Sequence, residues 1–418
     1  MLNERLVRAR PEQVREALRQ RHAGAEAELA LDTWLALDEQ RRALARRHDD
    51  LARVAAALRD DPETATARTR AADTERRAAE EAVLVITAQQ RGLLMRLPNL
   101  PDERVPAGKD ESENVELSRW GEQPTFDFTP QRHDTLAIAL GLLDPPRAAH
   151  IAGSRFPLLL GMGARLQRAL VGLMLDMHTA RGDIEVAPPH LLRREALEGS
   201  GHLPRFEDEL YTLARDDLSL SPTAEAQLVA LHAGETLDEW RLPLAYTAAT
   251  PAFRREAGSA GGATRGLLRQ HQFEKVELVR IATPETSDEA FDSLRADAEA
   301  VLRRLELPYR VVALCAGELP FSARRTHDLE VWMPAMGRYV EISSVSDCGP
   351  FQARRLNLRY RPASGGRARH PHTLNGSALA VGRTIAALLE NGQRADGTIL
   401  LPEALHAVLG TATIEKRA

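Results

Sequence analysis

The sequence contains few of the residues that characterise several common classes of protein. Its only cysteines are Cys315 and Cys348, too few for a disulfide framework or a cysteine-based zinc site. Lysine occurs only at Lys109, Lys275 and Lys416, so arginine carries nearly all of the positive charge. Because the formal net charge is −5, a nucleic-acid contact would have to come from a local basic patch.

Patterns that indicate a membrane protein or a common nucleotide-binding fold are also missing. The chain has no run of 18 apolar residues and no secretory signal peptide, so we expect a cytoplasmic protein that makes no membrane contact. It has neither a Gly-x-Gly-x-x-Gly motif nor a Walker-type lysine loop, so a doubly wound nucleotide-binding fold is not expected. With 418 residues, the chain is long enough for two domains.

The first hundred residues have the heptad pattern of a helical hairpin. Apolar residues recur every seven positions in two segments that are separated by a Pro-containing turn at residues 60–62. The repeating positions are Leu37, Leu44, Leu51 and Leu58, then Ala65, Ala72, Ala79, Ile86 and Leu93. This pattern predicts an antiparallel coiled coil. Its many arginines fit the solvated face of a coiled coil.

The residues on either side of a Gly-rich loop carry the most information about function. Arg254 and Glu256 are two positions apart and would share one face of a strand before the loop. Phe273, Lys275 and Glu277 would share one face of a strand after it. Phe273 and Glu277 would be about 13 Å apart, which suits a ligand with an aromatic ring at one end. Since a guanidinium can bind a phosphate and a carboxylate together, the pattern favours ATP plus an amino acid. A charged surface hairpin is the alternative.

Two further segments carry polar residues suited to the same ligand. In residues 373–393 a helical pattern of apolar residues is interrupted by Arg383. A buried arginine needs an anion, which could be ATP or an acidic neighbour in the chain. Glu341 is followed closely by the hydroxyls of Ser343 and Ser344. A carboxylate beside hydroxyls can bind Mg²⁺ against phosphate oxygens.

These blocks, in this order, resemble the seryl-tRNA synthetases of bacterial type, which are class II aminoacyl-tRNA synthetases. The resemblance extends over essentially the whole chain, through residues 155–189, 223–225, 253–277, 341–344, 351–355 and 373–383. It implies an α+β fold, in which a class II antiparallel sheet with flanking helices follows an antiparallel α-helical coiled-coil arm. Residues 1–100 would be the N-terminal tRNA-binding domain, and residues 101–418 the class II catalytic domain.

The resemblance also implies a reaction and its partners. L-serine would react with ATP, assisted by Mg²⁺, to give seryl adenylate, and the seryl group would pass to the 3′ end of serine tRNA. The N-terminal arm would bind serine tRNA. The helix predicted at residues 164–180 would lie at the interface of a homodimer, although an ordinary core helix would show the same leucine pattern.

The resemblance assigns roles to individual residues. The catalytic residues would be Arg254, Glu256 and Arg383. ATP would contact Arg254, Arg255, Glu256, Gln270, Phe273, Glu341, Ile342, Ser343, Ser344 and Arg383. Serine would contact Thr223, Ala224, Glu225, Arg254, Glu277 and Ser377, with Thr223 and Glu225 at its ammonium group and Glu277 and Ser377 at its hydroxyl. Glu341 and Ser344 would bind Mg²⁺.

The sequence departs from the usual pattern of this family in three places. These are residues 345–350, Ala378, and the loop positions Gly262, Ala263 and Thr264. We expect the changes to lie around the pocket rather than on its ligands. One hypothesis is that residues 345–350 and Ala378 reshape the pocket rim and exclude bulky mimics of seryl adenylate, and neutral drift is the alternative.

Two alternatives to a housekeeping enzyme follow from the same sequence. One is a specialised second copy that serves antibiotic self-resistance or natural-product biosynthesis. The other is a non-catalytic RNA-binding paralogue. The second alternative is disfavoured because the proposed ligand residues Arg254, Glu256, Glu277, Glu341 and Arg383 are all present.

Overall fold

The structure is a computed structural model that describes residues 1–59, 65–257 and 266–416. The predicted turn at residues 60–62 and the loop positions Gly262, Ala263 and Thr264 lie outside the described residues, as do the side chains of Leu58 and Ala65. The chain divides into two compact units, Met1–Leu100 and Pro101–Ala418. No helix among the described residues is long and apolar enough to cross a membrane.

The described part of the first unit consists of four helices. They are α1 (Glu4–Ala9), α2 (Pro11–Gln20), α3 (Gly24–Arg59) and α4 (Ala65–Arg96). Helices α3 and α4 are antiparallel, because residues early in one contact residues late in the other. Gln90 donates to the carbonyl of Trp34 at 3.5 Å, and Arg47 donates to Glu75 at 2.7 Å. Of the predicted seam positions, Leu51, Ala72, Ala79 and Ile86 are buried, whereas Leu37, Leu44 and Leu93 are partly buried.

The second unit is built around an eight-stranded sheet in the order β1-β9-β10-β11-β13-β8-β7-β2. Every neighbouring pair is antiparallel except β2 and β7, which are parallel. The strands are β1 (Val115–Trp120), β2 (Ile184–Glu185), β7 (Leu244–Phe253), β8 (Gln272–Ala282), β9 (Tyr309–Ala313), β10 (Arg325–Met333), β11 (Arg338–Asp347) and β13 (His372–Ala380).

Three small sheets and nine helices complete the described part of this unit. The short strands are β3 (Leu191–Arg193), β4 (Thr212–Leu213), β5 (Leu218–Leu220), β6 (Thr236–Asp238), β12 (Arg359–Arg361), β14 (Ile399–Leu400) and β15 (Thr413–Ile414). The helices are α5 (His133–Ala139), α6 (Pro145–Ala152), α7 (Met162–Thr179), α8 (Arg194–Ser200), α9 (Ala224–Ala230), α10 (Ser287–Arg304), α11 (Phe351–Arg355), α12 (Val381–Asn391) and α13 (Glu403–Leu409).

Alternation along β8 decides where the core ends and where a ligand can bind. Val276 and Leu278 point to one face of the sheet, into the main core formed with α7, α10 and α12. Val279 and Ile281 point to the other face, into a smaller core beside α9. Residues 273, 275 and 277 share this second face but carry polar or aromatic side chains, and here the face is an open pocket. Val276, Leu278, Val279 and Ile281 thus stabilise the fold, while residues 273, 275 and 277 contribute to a site.

The helix predicted at residues 164–180 is observed as α7. Leu166 and Leu170 are fully buried in the main core, and Leu173 and Leu175 are partly buried against it. Most of the leucine pattern is therefore explained by packing within the unit. The strand that follows, β2, lies at the edge of the sheet and exposes Ile184.

Candidate functional site

One pocket of about 690 Å³ brings together most of the residues that the sequence singled out. It lies over the odd face of β8 and extends across β10, β11 and β13 to the start of α12. The predicted residues that line it are Glu225, Arg254, Glu256, Gln270, Phe273, Glu277, Glu341, Ile342, Ser344, Ser377 and Arg383. Those that do not line it are Thr223, Ala224, Arg255 and Ser343.

At one end of the pocket, Glu277 is buried among groups that stabilise its charge. Glu277 is only 1% exposed. Thr223 Oγ1 donates to Glu277 Oε2 at 3.0 Å, and the ammonium group of Lys275 contacts the same oxygen. Ser377 is the cross-strand partner of Glu277 in the β13–β8 ladder. Thr223 therefore acts behind the pocket wall, by fixing this carboxylate.

Glu225, in the first turn of α9, is the second carboxylate at this end. Gln352 Nε2 and Asn375 Nδ2 donate to its Oε1 at 2.7 and 3.1 Å. Burial, together with the charge of Glu277, raises the pKa of Glu225 to about 7. A cationic ligand placed between the two carboxylates would relieve this repulsion. Ala224, which precedes Glu225, is fully buried in the smaller core and provides packing only.

Arg254 and Phe273 lie together further along the pocket. The Arg254 guanidinium is 5.3 Å from the centre of the Phe273 ring, and its Nε donates to the carbonyl of Pro222 at 3.2 Å. The guanidinium retains donors for an anion, since it has five in total. An aromatic ring beside a cation in a pocket of this size suits a nucleotide.

The expectation that Arg254 and Glu256 share one strand face is wrong. Strand β7 ends at Phe253, where its pairing with β8 also ends. Glu256 has a φ of 51°, in the left-handed region, so the chain turns sharply there. The turn directs the Glu256 carboxylate to the guanidinium of Arg269, which it contacts. Arg255 points outward, and its backbone N–H donates to Glu209 at 2.9 Å.

A bulge in β11 determines which of its polar side chains reach the pocket. The register with β10 shifts near Ile342, because Ser343 pairs with Leu329 while Glu341 pairs with Glu330. An extra residue in one strand changes the face of the residues beyond it. Glu341 and Ser344, three positions apart, consequently both line the pocket.

Ser343 is buried on the far side of the wall. Its hydroxyl donates to the carbonyl of Ser377 at 2.5 Å, so it joins β11 to β13. The prediction that Ser343 contacts ATP through its side chain does not agree with this placement. Sequence alone could not reveal the bulge that turns Ser343 inward.

Arg383, in the first turn of α12, closes another side of the pocket. Its Nη1 donates to the Glu341 carbonyl at 2.7 Å and lies 3.2 Å from the Glu341 carboxylate. Its Nε donates to the carbonyl of Leu268 at 3.2 Å. Arg383 therefore has the acidic neighbour that one interpretation of the sequence expected, and it also faces the pocket. The charge of Arg383 is the main reason that the pKa of Glu341 is lowered.

The oxygen atoms near Glu341 fit a hard divalent cation. Asp328, the cross-strand partner of Ser344, lines the same part of the pocket, and its Oδ1 is buried without a hydrogen-bond partner. Burial and the charge of Glu341 raise the pKa of Asp328. Among the described residues, no cluster of three acidic, histidine or cysteine side chains could bind a metal ion by itself. Mg²⁺ often has few protein ligands and completes its shell with phosphates and water, so Glu341 and Ser344 suit it.

The altered residues do not line the pocket, although Ser346 between them does; they are Val345, Asp347, Cys348, Gly349, Pro350 and Ala378. Val345 and Ala378 are fully buried in the main core, and Asp347 is buried in an ion pair with Arg324 at 2.7 Å. Cys348 is also buried, and its sulfur accepts from Asn375 Nδ2 at 3.6 Å. The rim hypothesis is therefore wrong in its placement of these residues. Cys348 does not line the pocket itself, but it contacts Asn375, which does.

Sequence reasoning missed several side chains of this site. Two-residue alternation predicts the correct face of β8 for Lys275 but indicates no role for it. Gln352 and Asn375 lie in segments that carried the family resemblance, at residues 351–355 and 373–383, and that was the available signal. Nothing in the sequence around Asp328 indicated that it joins the pocket.

Comparison with known proteins agrees with this geometry. Residues 206–392 match the family described as tRNA synthetase class II core domain (G, H, P, S and T). A serine–tRNA ligase of Nitratidesulfovibrio vulgaris is 47% identical over 421 residues, which cover 98% of each chain. The chain belongs to the serine–tRNA ligase family. A second family member, from Thermotoga maritima, is 54% identical over 323 residues, or 77% of this chain and 76% of its own.

A solved structure of this family is similar over its full length. The crystal structure of seryl-tRNA synthetase from Pyrococcus horikoshii complexed with ATP has a TM-score of 0.96 and 35% identity, and the match covers 100% of both chains. The family, the α+β class II fold and the class of enzyme predicted from the sequence are confirmed, as is the serine–tRNA ligase function. The comparisons give no support to the alternatives of a specialised second copy or a non-catalytic paralogue.

Proposed function

We propose that this chain uses the pocket over β8 to join L-serine to ATP as seryl adenylate, and then transfers the seryl group to the 3′ end of serine tRNA. The observation that carries the proposal is the arrangement of charge along the pocket. Two carboxylates, Glu225 and Glu277, lie at one end, and Arg254 with Phe273 lies beside them. A small zwitterion with a hydroxyl fits the first end, and an adenine nucleotide fits the remainder.

Arg254 is the residue best placed to bring the reactants together. Its free guanidinium donors would bind the serine carboxylate and the α-phosphate of ATP, two anions that repel each other without it. Phe273 would stack on the adenine ring, and Glu256 would accept from the adenine amino group. Arg383 would neutralise the far phosphates. The reaction needs no dedicated acid–base pair, because orientation and charge neutralisation can supply most of the acceleration.

Glu341 and Ser344 would hold Mg²⁺ against the phosphates of ATP. The cation would supply positive charge where negative charge accumulates during the reaction. The two protein oxygens and the unpartnered oxygen of Asp328 give this corner of the pocket the chemistry that a hard cation requires.

Serine would be distinguished from alanine by its hydroxyl. Glu277 is buried, and the serine hydroxyl would donate to it, with Ser377 nearby on the adjacent strand. A site built around such a hydrogen bond rejects an analogue that lacks the hydroxyl, because the buried acceptor is then left unpaired. Glu225 would take the serine ammonium, and Thr223 would act by fixing Glu277.

The two units would bind the remaining partners, which are serine tRNA and a second copy of the chain. The helical hairpin α3–α4 would bind serine tRNA, through contacts to the RNA backbone rather than to base sequence. The edge strand β2, with its exposed Ile184, would pair with a second copy of the chain and give a homodimer. Such an enzyme would work in the cytoplasm.

Serine-dependent exchange of pyrophosphate into ATP tests the proposed first step. Pure protein with ATP, Mg²⁺ and L-serine should exchange pyrophosphate without tRNA, whereas L-alanine or L-threonine should give little exchange. Charging of total tRNA with labelled serine then tests the second step. A folded protein that exchanges no pyrophosphate in the presence of serine would overturn the proposal.

A further inference from the structure

A buried histidine–carboxylate pair lies behind one wall of the pocket. His133, the first residue of α5, and Glu390, in the last turn of α12, are both fully buried. Neither is among the described residues that line the pocket. Residues 267–270, which we call the wall segment, do line it. We propose that His133 and Glu390 are positioning residues that fix the wall segment and thereby set how tightly ATP binds.

The hydrogen bonds of His133 determine where its proton lies. His133 Nδ1 is 2.8 Å from Glu390 Oε1, and the backbone N–H of His133 donates to the same oxygen at 3.0 Å. An ionised carboxylate can only accept, so Nδ1 carries the proton. The other ring nitrogen, Nε2, is then an acceptor, and the backbone N–H of Leu267 donates to it at 3.3 Å. The neutral histidine thus connects Glu390 to the wall segment.

Both oxygens of the Glu390 carboxylate accept hydrogen bonds in this arrangement. Its second oxygen, Oε2, accepts from the backbone N–H of Ala335 at 3.1 Å. Burying a carboxylate is costly unless each oxygen has a partner. These contacts offset that cost and fix the orientation of the imidazole. The remaining polar atom of the His133 ring, Nε2, points at the wall segment.

Helix α12 contacts the wall segment directly near its start and acts on it through His133 near its end. Near its start, a Cβ added to Gly382 would lie 3.2 Å from the backbone carbonyl oxygen of Leu267, so the two backbones are close. One residue later, Arg383 Nε donates to the carbonyl of Leu268 at 3.2 Å. At the other end of the helix, Glu390 acts on Leu267 through His133. The helix that carries Arg383 therefore also positions the opposite wall of the nucleotide site.

Gly266 shows how closely His133 approaches the chain. Its φ is +73°, which favours glycine, and a Cβ at this position would lie 2.5 Å from His133 Nε2. The imidazole therefore packs directly against the backbone where the wall segment begins. A shift of His133 would be transmitted to Leu267 and Leu268 and would alter the nucleotide pocket. The serine end, formed by Glu225 and Glu277, has no contact with this pair.

Two substitutions of His133 separate its two contacts. His133→Asn places an amide donor near the position of Nδ1, which keeps the bond to Glu390 but leaves the Leu267 N–H without an acceptor. His133→Gln can place an amide oxygen near the position of Nε2, which keeps an acceptor for Leu267. Because an unpaired buried N–H is costly, the wall segment of the His133→Asn variant should move to pair it, and we expect that shift to weaken ATP binding about tenfold.

The experiment measures the dissociation constant of ATP by calorimetry and the KM values of ATP and serine by pyrophosphate exchange. The inference rests on the proposed use of the pocket for ATP, and exchange by the unaltered chain tests that use separately. We expect His133→Asn to raise both ATP constants about tenfold and the serine KM less than about twofold. His133→Gln should raise the ATP constants less than about threefold, which would be rescue by the retained acceptor.

His178→Asn is the matched control, because His178 is also buried but lies on α7. Its ATP constants should equal those of the unaltered chain, and thermal melting should show that all three variants are folded. The inference is overturned if His133→Asn leaves ATP binding unchanged, or if the ATP and serine constants rise together in it. It is also overturned if His178→Asn weakens ATP binding as much as His133→Asn does.

Discussion

At the scale of single residues, the site works through buried charges whose partners are fixed before any ligand arrives. Glu277 already accepts from Thr223 and contacts Lys275, and Glu225 already accepts from Gln352 and Asn375. Such carboxylates need no reorganisation when serine binds, which favours binding and orientation together.

Glu277→Gln tests the carboxylate that would accept from the serine hydroxyl. We expect kcat/KM for serine in pyrophosphate exchange to fall at least tens-fold, because a hydrogen bond to a charged group contributes about 1.5–3 kcal/mol and Lys275 would lose its partner as well. Glu274→Gln is the control, since Glu274 lies on the opposite face of β8. Equal activity of Glu277→Gln and the unaltered chain would show that Glu277 does not contact serine.

The pH dependence of serine binding should report on Glu225. Its pKa is raised to about 7, so without serine the carboxyl is largely protonated below that pH. A serine ammonium binds the ionised form, and the serine KM should therefore fall as the pH rises through 7. One pH unit below the pKa, about a tenth of the carboxyl is ionised, so the KM there should be up to about tenfold higher than its value at high pH.

Glu225→Gln separates this group from other titrating groups. Glutamine has no charge to titrate, so the variant should bind serine weakly at every pH, with little dependence of KM on pH between about 6 and 8. If the variant retained the full pH dependence, another group would be responsible.

At the scale of elements, the outer half of the hairpin α3–α4 can be separated from its base. Its contacts pair residues of α3 and α4 at a constant register, from Trp34 with Gln90 to Arg47 with Glu75. Near its base, the buried Asp38 contacts Arg8, Arg41 and Arg42, which lowers its pKa and ties α1 to α3. The outer half of the hairpin can therefore be removed without disturbing the base.

Replacing residues 45–79 with a short Gly-Ser turn should separate the two steps of the reaction. We expect pyrophosphate exchange to stay within about twofold, because the pocket belongs to the second unit. Charging of tRNA should fall at least about a hundredfold, because contacts to the RNA would be lost. Circular dichroism would verify that the shortened chain is folded. A parallel loss of both activities would mean that the hairpin stabilises the protein and does not bind tRNA.

At the scale of the whole molecule, the edge strand β2 of the main sheet exposes an apolar side chain that the described chain leaves largely without cover. Ile184 of β2 is 54% exposed, and β2 ends the strand order of the sheet. An open edge of this kind pairs readily with another chain. A second copy would provide the cover.

Ile184→Asp should convert a dimer into a monomer, since a buried charge without a partner opposes association. Light scattering after size-exclusion chromatography should give twice the chain mass for the unaltered protein and a single chain mass for the variant. Val408→Asp, at a similarly exposed position on α13, should leave the mass unchanged. A single chain mass for the unaltered protein would contradict the proposed homodimer.

The amino-acid sequence determined the elements and much of the site. Heptad spacing was enough for the hairpin, because each seam position must face the partner helix. Two-residue alternation was enough to place Phe273, Lys275 and Glu277 on one face of β8, because that periodicity belongs to any strand. The order of the motifs was enough to identify the family.

Only the tertiary structure decided how distant segments meet. The bulge near Ile342 turns Ser343 inward and Glu341 and Ser344 outward, and the left-handed turn at Glu256 removes that residue from the strand. Asp328 and the pair of His133 and Glu390 acquire their roles from partners that are distant in sequence. The physical reason is that periodicity fixes which residues share a face of one element, whereas register shifts and contacts between elements depend on how the whole chain packs.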